Sequence, residues 1–454
     1  MAILAAHLND ASLVVCDDER ILYREPGFAL LENEQLTTGL AAFTKARLMP
    51  RQIHHRYWSG LTAEPLADYR FRHLSAADLV SRQLEQCWQQ VAKPGDQLAI
   101  AVPAYMDSNN LGLLLGVALD RGIPIVAMVD AAVAATRRHY RHAVPVHIDL
   151  GLHSATLTRL LQDCQVQLER SVVVDGCGVL SLYDAWLHII AEAFVQQSRF
   201  DPLHTAETEQ LLHDSLPAWL AVAAGEDTVP MQVEYRGIAH AAEIESLQLI
   251  DAAAPVYQNI VSNLRALYRA EDLPAIQLTA RAAGMPGLAD TLKTRVGGEA
   301  YLLEPGATAR GLIKRCPANS GGETLTLTRH LPWDQAPVEV IVGDATRGGG
   351  QPTHLLFGHH AHYLDEQPLV LGSQQADGER GVDLRQDMPG VSRRHCVLSR
   401  ENKQCIVTDY SRYGTFLNGH RIDGSAVLQT GDLLRIGTPG FEFRLISAER
   451  PDEA

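Results

Sequence analysis

The sequence has no block of consecutive lysines and arginines, no Cys-x-x-Cys pair and no apolar stretch of bilayer length. Each absence argues against a class of function. With a formal charge of -15 over 454 residues and no local basic exception, the average surface repels phosphate backbones and anionic lipids. Neither nucleic acid nor a membrane is expected as partner. The seven cysteines (16, 87, 164, 177, 316, 396 and 405) are an odd, scattered set. They suggest neither a disulfide framework nor a zinc site, and are read as reduced, mostly buried thiols. The opening Met1-Ala2-Ile3-Leu4 lacks a basic flank and reaches His7, Asn9 and Asp10 too soon for a signal peptide, so a cytoplasmic protein is expected.

What is present is the composition of a folded chain, 46% hydrophobic and 20% charged, too long for one hydrophobic core. Two or three domains are expected. Over residues 1–315 short apolar runs alternate with longer amphipathic stretches, the rhythm of an α/β domain. Leu98–Val102, Pro124–Met128, Val144–Ile148 and Ala275–Leu278 read as strands, and Leu111–Leu119 and Ile244–Tyr268 as helices. Glycine and proline then punctuate at Cys316–Gly322 and Ala345–Pro352, marking 316–351 as a linker. Within it Thr324–Thr328 and Val338–Val342 alternate with period two and could pair as a hairpin. Residues 352–448 contain only short strands and turns, which predicts an all-β sandwich followed by a tail at 449–454. No repeat is visible.

The C-terminal segment carries three spaced blocks: Val391-Ser-Arg-Arg-His395, Asp409-Tyr-Ser-Arg-Tyr-Gly-Thr-Phe-Leu-Asn-Gly419 and Leu428-Gln-Thr-Gly-Asp-Leu-Leu-Arg-Ile-Gly437. Together they resemble the forkhead-associated (FHA) family. The resemblance implies an eleven-strand sandwich whose loops at one end bind a phosphothreonine peptide. Ser392 is the matching phosphate-binding hydroxyl, and Gly372, His395, Asp409, Gly414, Asn418 and Gly419 fall at architectural positions. Two contact positions differ. The family's Gly-Arg is Gly372-Ser373 here, and the asparagine of its Asn-Gly-Thr turn is Tyr413. Loss of one charge-assisted bond to phosphate costs about 1.5–3 kcal/mol, on the order of tenfold to a hundredfold in affinity. Arg393 and Arg412 occupy loop positions from which they could supply the missing charge. The bland alternative is a sandwich that binds partners without phosphate.

In the N-terminal segment, Ala99-Ile-Ala-Val-Pro-Ala-Tyr105, Asp130–Ala135, Ile148-Asp-Leu-Gly151, Gly284–Leu288 and Glu304–Gly311 follow one another in the order of an actin-like ATPase fold. They are similar to the nucleotide-binding domain of DnaK-type heat-shock chaperones. The resemblance implies two lobes around a nucleotide cleft. Its phosphate-cradling hairpins are altered here: His7-Leu-Asn-Asp10-Ala replaces Asp-Leu-Gly-Thr-Thr, and Asp149 and Gly151 are followed by Leu152-His-Ser154 instead of glycines. The purine-end Gly-Gly-Ser-Ser is Ala280-Arg-Ala-Ala283, beside Gly284. Leu180-Ser-Leu182 replaces Leu-Gly-Gly, and Pro217-Ala-Trp219 stands where a basic clamp belongs. Asp10, Asp130 and Asp149 remain as carboxylates able to hold magnesium, although loop capping is the commoner role. A catalytically silent cleft is expected.

His54-His55 and His359-His360-Ala-His362 lack carboxylate or thiol partners at metal-ligand spacing and read as strand residues. No metal, cofactor or catalytic residue is expected. The sequence therefore predicts a scaffold in which an FHA domain docks a protein partner, phosphothreonine-bearing or unmodified, and a pseudo-ATPase body gives a second surface. The alternative is a divergent DnaK-like ATPase, using ATP and magnesium, targeted to phosphorylated clients. Self-assembly fits either.

Overall fold

The computed structural model describes residues 2–32, 35–140, 143–315, 325–334, 351–357, 360–374, 379–384, 391–401, 404–417, 420–430, 432–437 and 441–446. The chain divides into two compact units, Met1–Asp334 and Gln335–Ala454. No described helix is long and apolar enough to cross a membrane.

The N-terminal unit contains two six-stranded sheets. In the first, Ile3–His7, Leu13–Cys16 and Ile21–Glu25 form an antiparallel meander, and Gln97–Val102 and Ile125–Asp130 add in parallel on the other side of Ile3–His7. The second sheet has the same plan. Val144–Leu150, Ser154–Gln162 and Gln165–Asp175 make the meander, with Pro274–Leu278 and Glu299–Leu302 added in parallel. This repeat resides in strand pairing and leaves no trace in residue identity, consistent with none being visible in the sequence.

Within the expected linker, the described residues pair with the two sheets. Leu327–Thr328 joins the parallel edge of the first sheet, and His330–Pro332 the antiparallel edge of the second. A few residues thus tie both sheets together, and the compact N-terminal unit extends to Asp334. Thr324 and Val338–Val342 lie outside the described residues.

Central strands such as Gln97–Val102 are covered on both faces, which explains their unbroken apolar runs. The amphipathic helix Ala76–Val91 starts at a reciprocal Ser75/Asp78 capping box and buries Leu79, Val80 and Leu84 against the first sheet. In the second half Trp186 is fully buried, its indole N–H donating to the Leu249 carbonyl at 2.8 Å. Between these cores lies an alanine-rich contact in which Ala131–Ala135 packs on Ala307–Arg315. The approach is close enough that a Cβ on Gly311 would sit 2.1 Å from the Ala134 carbonyl oxygen. Small residues are required there.

In the C-terminal unit eleven described strands form two sheets, with no helix among the described residues. One sheet runs His360–Tyr363, His354–Phe357, Phe441–Ile446, Leu433–Ile436, Thr415–Leu417 and His420–Arg421. The other runs Gly381–Asp383, Leu369–Gly372, Cys396–Glu401, Gln404–Asp409 and Ser425–Leu428. Alternate residues of Phe441–Ile446 point inward, placing Phe443 and Leu445 in a core with Leu371, Leu398, Val407 and Ile436. The sandwich holds the loops at its ends.

Candidate functional site

Three loops of the C-terminal unit meet around His395. Its ring is fully buried. The Ser392 N–H donates to Nδ1 at 3.2 Å, and Nε2 lies 3.1 Å from the Gly414 carbonyl oxygen. Nδ1 is therefore the acceptor and Nε2 carries the proton, which fixes one neutral tautomer. Burial lowers the histidine's affinity for a second proton. The neighbouring backbone adds ties: Ser373 N–H to Ser392 O at 3.1 Å, Gln374 N–H to Arg393 O at 3.2 Å, and Tyr410 N–H to His395 O at 2.9 Å. Gly372 permits the approach, since a Cβ there would lie 2.0 Å from the Arg393 carbonyl oxygen.

Asp409 organises the third loop. Its carboxylate accepts from Ser411 N–H at 2.9 Å, Thr415 N–H at 3.3 Å and the Thr415 hydroxyl at 2.8 Å. Burial raises its pKa, but these donors outweigh it and hold the carboxyl below its ordinary value. The Ser411 hydroxyl then accepts from Gly414 N–H at 2.7 Å, while Gly414 adopts a φ of 93° that disfavours any side chain.

On this base sits the Ser392 hydroxyl, half-buried and accepting from the Arg412 N–H at 3.2 Å. Its own O–H has no acceptor among the described residues and can donate outward. Arg393, Arg412, Tyr413 and Ser373 are exposed around it. The Arg394 guanidinium lies 5.3 Å from the ring centre of Tyr410 and 3.9 Å from Glu379. A half-buried hydroxyl framed by exposed guanidiniums on a rigid base suits a phosphate or another compact oxyanion. Asn418 and Gly419 lie outside the described residues.

The other predicted cluster lies between the two halves of the N-terminal unit. Asp149 is its centre. Its carboxylate receives Asn9 Nδ2 at 2.7 Å and the Thr279 hydroxyl at 2.9 Å, with His7 Nε2 at 3.1 Å and the Arg281 guanidinium at 3.9 Å. Arg281 also donates to the Leu150 carbonyl at 2.7 Å. Burial alone would raise the Asp149 pKa, yet His7 and Arg281 beside it hold it well below the carboxylate range. Asp10 accepts from Leu152 N–H at 2.7 Å, and its pKa is pushed up to about 6, chiefly by burial. A Cβ on Gly151 would lie 2.6 Å from Asp10 Oδ1.

Two predicted residues take capping roles here. Asp130 accepts from the N–H groups of Ala132 and Val133 at the start of Ala131–Ala135, and burial pushes its pKa up to about 6. Gly284 closes the short helix Ala280–Ala283. Within Ala280-Arg-Ala-Ala283, Arg281 is a member of the cluster that the sequence pattern leaves unassigned. Asn9 and Thr279 were likewise unassigned. One cavity beside the cluster, lined by His7, Asp149, Arg281 and Thr308 among others, is about 40 Å³. Sites for drug-sized ligands are roughly 300–1,000 Å³. Among the described residues no group of three or more His, Cys, Asp or Glu side chains could hold a metal. His359 lies outside the described residues.

Residues 369–437 match the FHA domain family. This span includes Ser392, His395, Asp409 and Gly414, so the C-terminal unit carries an FHA domain. Comparison with the curated proteins gives no match.

Proposed function

We propose that this chain is a non-catalytic docking protein whose FHA domain engages a phosphothreonine-bearing partner. The carrying observation is the Ser392 loop, where an outward hydroxyl is positioned by the Arg412 N–H and the His395 ring within the span that matches the family. The family's phosphate-gripping arginine is replaced by Ser373, and in this reading Arg393 and Arg412 supply the positive charge. Tyr413 takes the place of the side chain that would hold the peptide backbone. A fluorescent phosphothreonine peptide library and its unphosphorylated twin, titrated against the full chain, test the reading. Binding lost on dephosphorylation and in Ser392→Ala supports it; equal binding of both libraries points to a phosphate-independent scaffold.

The N-terminal unit is, in the same proposal, a degenerate actin-like body that serves as a second interaction surface. Support comes from the two halves, which share the order of five strands, and from the polar cluster between them. The silent cleft is supported by Arg281, which lies inside that cluster beside a cavity of about 40 Å³. Magnesium-ATP at millimolar concentration should leave the melting temperature of the full chain unchanged. A ligand at a hundred times its Kd would add about 2.7 kcal/mol of stability, and such a shift would favour the DnaK-like ATPase reading.

A further inference from the structure

A second concavity belongs to the first half of the N-terminal unit and shares no lining residue with the cavity beside Asp149. Its volume is about 370 Å³, within the range of small-molecule sites. The floor is apolar and reaches the core, with Tyr57, Ala76 and Leu79 buried there. Half-buried Ile53 and Leu66 line its sides, and Arg56 and Glu64 are exposed lining residues. The walls are fixed by the protein's own bonds. The Tyr57 hydroxyl and the Trp58 indole N–H both donate to Gln83 Oε1, at 2.6 and 2.7 Å. The loop that carries Glu64 is pinned along its length: Gly60 N–H to Arg56 O at 2.7 Å, Leu66 N–H to Leu74 O at 2.8 Å and Ala77 N–H to Thr62 O at 3.1 Å. A preformed hollow with an apolar floor and a few polar groups is the usual anatomy of a ligand site.

The polar groups of this hollow have unused capacity. Arg56 and Glu64 have no ion-pair partner among the described residues. Asp68 and Arg70, the charges that act on His54, pair with each other. His54 also lines the hollow, and its Nε2 is buried without a hydrogen-bond partner among the described residues, a condition that calls for one. His55 Nδ1 lies 3.0 Å from His153 Nε2, and burial, aided by His153 and Arg56, lowers the His55 pKa to about 4, so this imidazole stays neutral beside the guanidinium. One full positive and one full negative charge therefore border an apolar floor without a protein counter-charge. We infer that the hollow binds a small zwitterion with an apolar tail, of amino-acid or dipeptide size, its carboxylate on Arg56, its ammonium on Glu64 and its tail over Ala76 and Leu79. A guanidinium takes a carboxylate as a two-pronged pair. A ligand of single charge leaves one of the two residues unmatched, whereas a zwitterion meets both. Affinity comes from burial of the tail and selectivity from the charges.

The test titrates the full chain with leucine and leucyl-leucine, followed by saturation-transfer NMR. Glycine serves as the probe without a tail, and the N-acetyl and carboxamide derivatives of both leucine compounds each lack one charge. At least one leucine compound is expected to bind, the tighter of the two telling which length spans the charges, while glycine gives no transfer. Either derivative of the tighter compound should bind about tenfold more weakly. Arg56→Ala and Glu64→Ala, both at exposed positions, should each weaken binding by about the same factor and leave the melting temperature unchanged. Failure of both leucine compounds to bind overturns the inference. Equal binding of the derivatives and their parent, or binding untouched by both substitutions, overturns it as well. None of these outcomes bears on the phosphothreonine reading, which phosphopeptides alone test.

Discussion

The Arg281 guanidinium stands 3.9 Å from Asp149 in the cleft between the two halves of the N-terminal unit and bonds the Leu150 carbonyl. A buried acid is thus compensated by a protein cation. Removing Arg281 withdraws one of several partners of Asp149, since His7, Asn9 and Thr279 remain, and leaves the Leu150 carbonyl short of a donor, a loss of about 1–3 kcal/mol. Arg281→Ala should lose stability of this order. Urea unfolding checks it, and the Arg281→Ala/Asp149→Ala double variant should be less destabilised than the sum of the single variants.

Asp10 makes an opposite prediction. Its pKa of about 6, against an ordinary 3.8, means the folded state binds the proton more tightly than the unfolded chain. Folding is penalised once pH rises through this interval, by roughly 3 kcal/mol at neutral pH. Asp10→Asn keeps an oxygen to accept the Leu152 N–H and removes the charge. It should melt higher than the parent at pH 8, with the difference vanishing near pH 4.

His395 should respond to acid in the other sense. Its folded pKa lies below its unfolded value, so its contribution is complete above the unfolded pKa and is lost as pH falls through the folded one. Protonation at Nδ1 would set N–H against the Ser392 N–H. Imidazole NMR should show one neutral tautomer, protonated on Nε2, at pH 7. His395→Ala should cost roughly 1–3 kcal/mol for each backbone group left unpaired at Ser392 and Gly414, and should weaken peptide binding through the displaced loop.

Two glycines give a matched contrast. Gly372→Ala forces a methyl to within 2.0 Å of the Arg393 carbonyl oxygen and should destabilise the FHA domain by about 3 kcal/mol or more. Gly112→Ala, in the middle of Ser108–Asp120 with nothing within 4 Å, should stabilise the N-terminal unit by roughly 0.5–1 kcal/mol. Thermal unfolding of the two variants reads both effects.

The FHA domain was legible because its loop chemistry is local: serine, histidine and glycine recur at spacings set by turns, and the structure brings Ser392, His395 and Gly414 together. Long apolar strands such as Gln97–Val102 and Val144–Leu150 were legible for the same reason. The strand-order repeat was not, since pairing between distant strands writes no pattern in residue type. Leu327–Thr328 and His330–Pro332 are too short to show periodicity and gain their structure from edges far away in sequence. In the cleft, Arg281 could have been found by asking what a cation does where glycine is expected. Its pairing with Asp149 depends on the three-dimensional meeting of the two halves.

The most direct test of the docking account is an isothermal titration of the full chain with a phosphothreonine peptide selected from the library, its unphosphorylated twin, and the Ser392→Ala variant. The account predicts micromolar binding of the phosphopeptide, at least tenfold weaker binding by Ser392→Ala, and no measurable heat with the unphosphorylated peptide. Equal binding of both peptides, unaffected by Ser392→Ala, would contradict it.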